Sequence, residues 1–280
     1  MTTAPRTITV AHSPDSDDAF MFYALAEGKV ETGALSYVHE LQDIETLNQR
    51  ALRGELEVTA VSIHAFAYLA DRYALLPHGA SMGDRYGPRL VGRRKRPHAS
   101  VKGARIAVPG PLTSAYLALR LFEPDFEAVF VPFDKIEDAV LDAHVDFGLL
   151  IHEGQLTYKE RDLHLCVDLG EWWHDQTGLP LPLGGNVVRK DMGADLISTV
   201  SKHLRASIAY GLKNRRQALD HAMRYARGLE RAQADTFVGM YVNEWTLDYG
   251  DAGRAAVRLF LQRGVEAGII PHPVTVEFAD

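Results

Sequence analysis

Short apolar runs alternate with helical patterns along this chain, and that alternation limits the fold more than any other feature. Ile8-Thr9-Val10-Ala11 reads as a strand ending in the turn-rich loop His12-Ser13-Pro14-Asp15-Ser16-Asp17-Asp18. The next segment puts Phe20, Met21, Ala24 and Leu25 on one helix face, with Ser16 or Asp17 as N-cap and acids suited to the helix dipole. Residues 35–38 alternate as a strand. Asp43 then caps a helix carrying Ile44, Leu47, Ala51 and Leu52, which stops near Gly54. Val58-Thr59-Ala60-Val61-Ser62 is a second strand-to-helix junction. This βαβα rhythm predicts a largely parallel sheet with its loops on one edge.

The rhythm breaks at Gly92-Arg93-Arg94-Lys95-Arg96-Pro97, which reads as a solvated linker or strand end rather than an anion site. A second α/β unit opens at Ala104-Arg105-Ile106-Ala107-Val108-Pro109-Gly110. It continues with a helix from Thr113, a strand at 128–131, a helix from Asp134 and a strand at 147–151 that ends in His152. A further strand spans 163–169. After Gly184-Gly185-Asn186-Val187-Val188-Arg189 the pattern turns to long helices at 194–210, 215–226 and 251–267, and no internal repeat is visible. A strand returning at 183–189 after a complete unit predicts two lobes: residues 1–96 plus 188–280 as a discontinuous α/β lobe, and 97–187 as the other. Two crossovers would join them and place a ligand cleft between the lobes, a preferred location for small-molecule sites.

The chain has 280 residues and a formal net charge of −7, which argues against a nucleic-acid surface. No stretch approaches the ~18 apolar residues of a membrane span, and the N-terminus lacks the apolar core of a signal peptide. The single Cys166 excludes an intrachain disulfide framework and a multi-cysteine zinc site. The expectation is a cytoplasmic protein with no membrane and no nucleic-acid partner. The sequence does not fix the oligomeric state and leaves a homodimer open.

His152 carries the first chemical suggestion. A strand in an open α/β sheet delivers its last residue to the crevice beyond its carboxyl end, and imidazole suits proton transfer near neutral pH. Its alternative is a hydrogen-bonded structural histidine. Thr113 and Ser114 open a helix whose N–H groups can hold a carboxylate or phosphate, although the local pattern alone favours plain capping. Thr59, Ala60, Val61 and Ser62 repeat this logic in the first lobe. His12, His64 and His152 match no metal-binding spacing, so no metal is expected. Phosphate-loop, dinucleotide and nucleophile-elbow motifs are absent, which leaves cofactor chemistry and serine hydrolysis unsupported. Trp172-Trp173 and the turn-rich 177–184 segment suit either aromatic stacking or packing.

Several stretches together resemble the 1,4-dihydroxy-6-naphthoate synthases. They are His12-Ser-Pro with Asp17-Asp18-Ala-Phe-Met-Phe-Tyr-Ala-Leu25, Asp43-Ile-Glu-Thr-Leu-Asn48, Gly110 to Tyr116, and Leu150-Ile-His152-Glu. Asp168-Leu-Gly-Glu-Trp-Trp173, Thr177-Gly-Leu-Pro-Leu-Pro-Leu-Gly184, Tyr241-Val-Asn243 and Leu247-Asp248 complete the set. The resemblance runs in order through nearly the whole chain. It implies a two-lobed periplasmic-binding-protein-like (type II) fold and a place in the futalosine route to menaquinone. The implied reaction cleaves cyclic dehypoxanthine futalosine to 1,4-dihydroxy-6-naphthoate and a sugar-derived fragment, without a cofactor. The family's base falls on His152, its substrate-contacting strand end on Thr59, Ala60 and Val61 beside Ser62, and its paired hydroxyls on Thr113 and Ser114. The loop departs from the family's Ser-Pro-Cys-Pro-Asn-Asp, reading Ser13-Pro-Asp15-Ser16-Asp17-Asp18, and the lysine or other polar residue common in the family near Ala60 is missing. The expected partner is a small-molecule carboxylate substrate. The alternatives are chorismate dehydratase on the same scaffold and a solute-binding protein for a small carboxylate.

Overall fold

The computed structural model describes residues 6–95 and 101–279. In chain order, β1 (Arg6–His12), α1 (Ser16–Ala26), β2 (Leu35–Leu41), α2 (Ile44–Leu52), β3 (Val58–Ser62), the one-turn α3 (Ile63–Phe66) and β4 (Tyr73–Leu75) come first. They are followed by β5 (Ser81–Gly83), β6 (Arg89–Gly92), β7 (Arg105–Val108), α4 (Ser114–Phe122), β8 (Glu127–Phe130), α5 (Ile136–Leu141) and β9 (Phe147–Leu150). Then come α6 (Gly154–Thr157), β10 (His164–Asp168), α7 (Leu169–Thr177) and β11 (Leu181–Arg189). Five helices close the chain: α8 (Ala194–Lys213), α9 (Arg215–Ala222), α10 (Arg231–Tyr241), α11 (Glu244–Leu247) and α12 (Gly250–Glu266).

Local chemistry accounts for many of these boundaries. The Asp43 carboxylate accepts from the Thr46 N–H at 3.0 Å and so caps α2. Asp168 does the same for α7, which Gly178 ends with a φ of +69°. At α1 the expected cap moves by one residue. Asp15 is the N-cap, and it makes no side-chain capping bond there, while Ser16 and Asp17 lie inside the helix.

The chain divides into two compact units, Met1–Ser81 with Gly184–Asp251 and Val274–Asp280, and Met82–Leu183 with Ala252–Pro273. The expected boundaries at 96/97 and 187/188 therefore shift to 81/82 and 183/184. Arg96 and Pro97 lie outside the described residues. β6 belongs to the second unit because it pairs with β9 and β10. Ala252–Pro273 also joins that unit, as Phe260 of α12 packs edge-on against Trp173 with ring centroids 5.3 Å apart. The C-terminal segment returns to the first unit, where Leu75 N donates to Glu277 O and Leu75 O accepts from Ala279 N, a parallel bridge opposite Phe278.

Each unit is built on one sheet. The first has the order β2-β1-β3-β11-β4, with β5 on β11, and the second has β8-β7-β9-β6-β10. β1, β2 and β3 run parallel, as do β7, β8 and β9. β11 and β6 then enter antiparallel to β3 and β9, and β4 and β10 pair antiparallel to them in turn. The sheets are thus mixed rather than largely parallel. The parallel strands are linked within a unit by helical crossovers, whereas β6 and β11 arrive after the chain has passed from one unit to the other. Strand for strand, the two orders are the same, a structural repeat with no trace in the sequence.

In the first unit, Ile8, Val10 and Val58 of the sheet pack against Met21 and Phe22 of α1 and Val200, Leu204 and Ile208 of α8. In the second, Val91, Ala107 and Leu150 pack with Ile136 and Val140 of α5. Among the described residues, no helix is long and apolar enough to cross a membrane.

Candidate active site

In the second unit the parallel run of β7, β8 and β9 brings three carboxyl ends to one sheet edge. β9 ends at Leu150, one residue earlier than the sequence pattern implies, and His152 sits in the loop before α6. Its ring is half-buried and lies edge-on to Phe133, which follows β8, with centroids 4.2 Å apart. The His152 carbonyl accepts from the Gln155 N–H at 2.9 Å, which ties the loop to α6. Thr113 and Ser114 stand beyond β7 on the same edge. The Thr113 hydroxyl donates to Gly110 O at 2.9 Å and accepts from Tyr116 N at 3.2 Å, as an N-cap does. The Ser114 hydroxyl donates to Leu183 O at 2.5 Å, anchoring the start of α4 to the chain that leads into the second crossover. Capping therefore explains the Thr113 hydroxyl, and it sits at the positive end of a nine-residue helix on the strand adjacent to that of His152.

Two residues at this edge went unassigned in the sequence. Arg89 opens β6, opposite Leu150 and Asp168. Its Nε donates to Asp168 Oδ2 at 3.0 Å and its guanidinium reaches Gln155 O at 2.5 Å. The same group lies 5.9 Å from the centre of the Tyr158 ring. Asp168 in turn accepts from the Gly170 and Glu171 N–H groups at 3.0 and 3.3 Å. Burial raises the Asp168 carboxyl above the ordinary carboxylate range, against the pull of Arg89 and those two N–H groups. Arg89 thus couples the segment after His152 to the start of α7. Within α7, Trp173 Nε1 donates to Pro180 O at 3.1 Å, and Trp172 lies edge-on to Phe122, so the tryptophan pair serves packing.

The first unit has the equivalent edge. β3 is buried along its whole length. The Thr59 hydroxyl donates to Ala60 O at 2.9 Å, and Val61 is fully buried. Ala60 joins Ala11, Leu47 and Leu56 in a small apolar cluster, which is where its lack of a polar group is used. At the strand end, Ser62 N donates to Asn48 Oδ1 at 2.9 Å and the Asn48 amide donates to Ser62 Oγ at 3.2 Å. Asn48 occurs in a quoted motif without a role. The signal for one was its position between Leu47 and Ala51, a polar residue in the apolar stripe of α2.

His12 ends β1 beside this strand, and its hydrogen bonds fix its tautomer. Nδ1 donates to Ser13 O at 3.0 Å, so the neutral ring presents bare Nε2 to His39 Nδ1 at 3.1 Å. Burial, followed by the neighbouring His39, lowers the His12 pKa to about 3, and burial lowers that of His39 to about 4. Both rings are therefore neutral at neutral pH, and His12 also stacks on Phe22 with centroids 4.5 Å apart. His64 belongs to α3, its ring 5.9 Å from that of Tyr68. The loop after β1 is held from both sides: Asp18 accepts from Ser13 N at 2.7 Å, and Arg227 pairs with Asp15 at 2.6 Å. Within the basic run, Arg93 donates to the carbonyls of Val140 and Val145 and so holds the turn between α5 and β9.

A family model described as menaquinone biosynthesis matches residues 8–266. A Thermus thermophilus protein named 1,4-dihydroxy-6-naphthoate synthase is 40% identical over 267 residues, covering 95% of this chain and 97% of that one. A crystal structure of a protein from Archaeoglobus fulgidus superposes with a TM-score of 0.90 at 47% identity, covering 94% of this chain and 98% of its own. The alkanesulfonate-binding protein from Xanthomonas axonopodis bound to MOPS gives a TM-score of 0.72 at 11% identity, covering 98% and 97%. The fold is accordingly that of the periplasmic binding proteins.

Proposed function

This chain belongs to the menaquinone-biosynthesis family and is an enzyme of that route, and from this premise we propose that it cleaves cyclic dehypoxanthine futalosine to 1,4-dihydroxy-6-naphthoate with His152 as general base. The observation that carries the proposal is the single sheet edge of the second unit. There His152 follows β9, and the N-terminus of α4 follows the adjacent parallel strand β7. That edge pairs a proton acceptor with a positive helix end, the two groups that cleavage of an anionic substrate beside a carbonyl requires.

In the proposed step, His152 takes a hydroxyl proton from the substrate. The O–H electron pair becomes the new carbonyl as the carbon–carbon bond breaks, and the electrons of that bond pass to the neighbouring carbonyl as an enolate. Protonation and aromatisation complete the product. The naphthoate carboxylate is assigned to the first turn of α4 at Thr113 and Ser114, whose hydroxyls stiffen that turn. Thr59, Ala60, Val61 and Ser62 are assigned to substrate contact through the end of β3. The partner is therefore a small-molecule carboxylate, acted on in the cytoplasm.

The test is turnover of the purified protein with the cyclic substrate, read as formation of the naphthoate chromophore, with chorismate as a parallel substrate. His152→Ala is expected to lower kcat by about 10²- to 10⁴-fold, the usual contribution of a positioned base. Near-normal turnover by that variant would falsify the assignment of the base, and conversion of chorismate instead would overturn the substrate.

A further inference from the structure

We propose that Asn48 is a positioning residue that turns the Ser62 hydroxyl proton away from itself, so that the end of β3 donates a hydrogen bond to an acceptor oxygen on the substrate. This rests on the assignment of Ser62 to substrate contact. The argument begins with the amide of Asn48, which has no exposure to solvent and lies on α2 among Leu47 and Ala51. A backbone N–H can only donate, so the Asn48 atom facing Ser62 N at 2.9 Å must be the carbonyl oxygen. That fixes which way round the amide sits. Its NH₂ group then faces Ser62 Oγ at 3.2 Å, and an NH₂ group can only donate. Ser62 Oγ is therefore an acceptor towards Asn48, and its own proton must point elsewhere.

No described residue takes that proton. The two bonds to Asn48 are the only ones the Ser62 N–H and hydroxyl make among the described residues. Ser62 is the N-cap of α3, but its side chain makes no capping bond to that helix. A buried serine would ordinarily spend its oxygen on the helix N–H groups. Here that oxygen is spent on Asn48. At 4% exposure, the hydroxyl has little access to bulk water. Its proton is thus held ready for an incoming oxygen lone pair, and the partner this proton suits is a carbonyl or carboxylate oxygen. Neighbouring Thr59 cannot play this part, because its hydroxyl proton is already given to Ala60 O.

Asn48→Asp separates this role from simple support. The aspartate keeps an oxygen for the Ser62 N–H, but as a carboxylate it has no proton to give Ser62 Oγ, and the hydroxyl turns towards it. The expected result is a fall of about 10- to 100-fold in kcat/KM with the cyclic substrate, the size of one lost buried hydrogen bond to an anionic or carbonyl oxygen. Ser62→Ala should fall by a similar factor. The double variant should be no worse than the weaker single variant by more than about threefold, since both changes remove one donor. Losses that multiply, or an Asn48→Asp enzyme with wild-type kcat/KM, overturn the inference. Neutron diffraction of the deuterated wild-type protein decides the matter even if the variant fails to fold. A Ser62 deuteron pointing away from Asn48 supports the inference, and one lying between the two side chains refutes it. If the wild-type protein leaves the cyclic substrate untouched, the functional assignment fails, while the deuteron position still judges the role of Asn48.

Discussion

His78 offers a direct measure of how strongly burial in the first unit opposes a charge. It follows β4, is 1% exposed, and its Nε2 lies 2.9 Å from Ser201 Oγ on α8. Burial lowers its pKa from 6.5 to about 4; the bond to Ser201 and the charge of Asp248 oppose the shift, and Arg205 adds to it. For a base lowered on folding, the unfolded chain binds the proton first. The contribution is therefore fully present above pH 6.5 and is lost as pH falls, until both states are protonated below about pH 4. At pH 5 the unfolded histidine is almost wholly protonated and the native one is barely so, which costs about 2 kcal/mol relative to pH 8. His78→Gln keeps an amide group where Nε2 meets Ser201 and removes the titration. Urea unfolding at pH 8 and pH 5 gives four stabilities when the m-value is constant. The wild-type protein is expected to lose about 2 kcal/mol more between these pH values than the variant does. His12, His39 and Asp18 titrate in both proteins and cancel from the comparison. Equal losses in the two proteins would refute the argument that a buried neutral ring at this position resists protonation.

Two further outcomes follow from close contacts in the second unit. A Cβ built at Gly170 lies 1.9 Å from Tyr86 O and 2.6 Å from Gly87 N, both backbone atoms that cannot step aside. Gly170→Ala should therefore destabilise by about 3 kcal/mol or more, visible as a large drop in Tm; a Tm within a degree or two of wild type would contradict this packing. Arg89→Met leaves Asp168, whose side chain is 1% exposed, without its ion-pair partner. The expected cost is about 3–5 kcal/mol, and Arg89→Met combined with Asp168→Asn should recover part of it. No recovery in the double variant would show that the pair is not what Arg89 contributes.

The parts of the fold legible in the sequence are those specified by neighbours along the chain. Asp43 announces α2 because a cap and an apolar stripe lie within one turn of each other. The run from Phe147 announces β9 because it is apolar and bounded. The crossovers are different. β6 reads only as Arg-Leu-Val-Gly, and nothing in four residues says that it will pair antiparallel with β9 and β10. The division at 81/82 rather than near 96 is decided by that pairing, and Arg93 of the basic run that looked like punctuation bonds the carbonyls of Val140 and Val145 within the second unit.

The site follows the same division. His152, Thr113 and Ser62 stand out in the sequence because each lies at a strand-to-helix junction, a position visible from local pattern. Arg89, Asn48 and His39 act on residues 66, 14 and 27 positions away, and only the fold brings them into contact. The residues that meet substrate in this scheme sit on loops at strand ends. Those that set their geometry sit inside elements, where their polarity is masked by apolar neighbours. Asn48 shows what such masking conceals: the direction of one proton in Ser62 is set by an amide whose own direction is set by a backbone N–H. A polar residue in the buried stripe of a helix, next to a strand that ends in a hydroxyl, is therefore a stronger pointer to a recognition site than the hydroxyl alone, because its burial without a partner would cost more than the helix could recover.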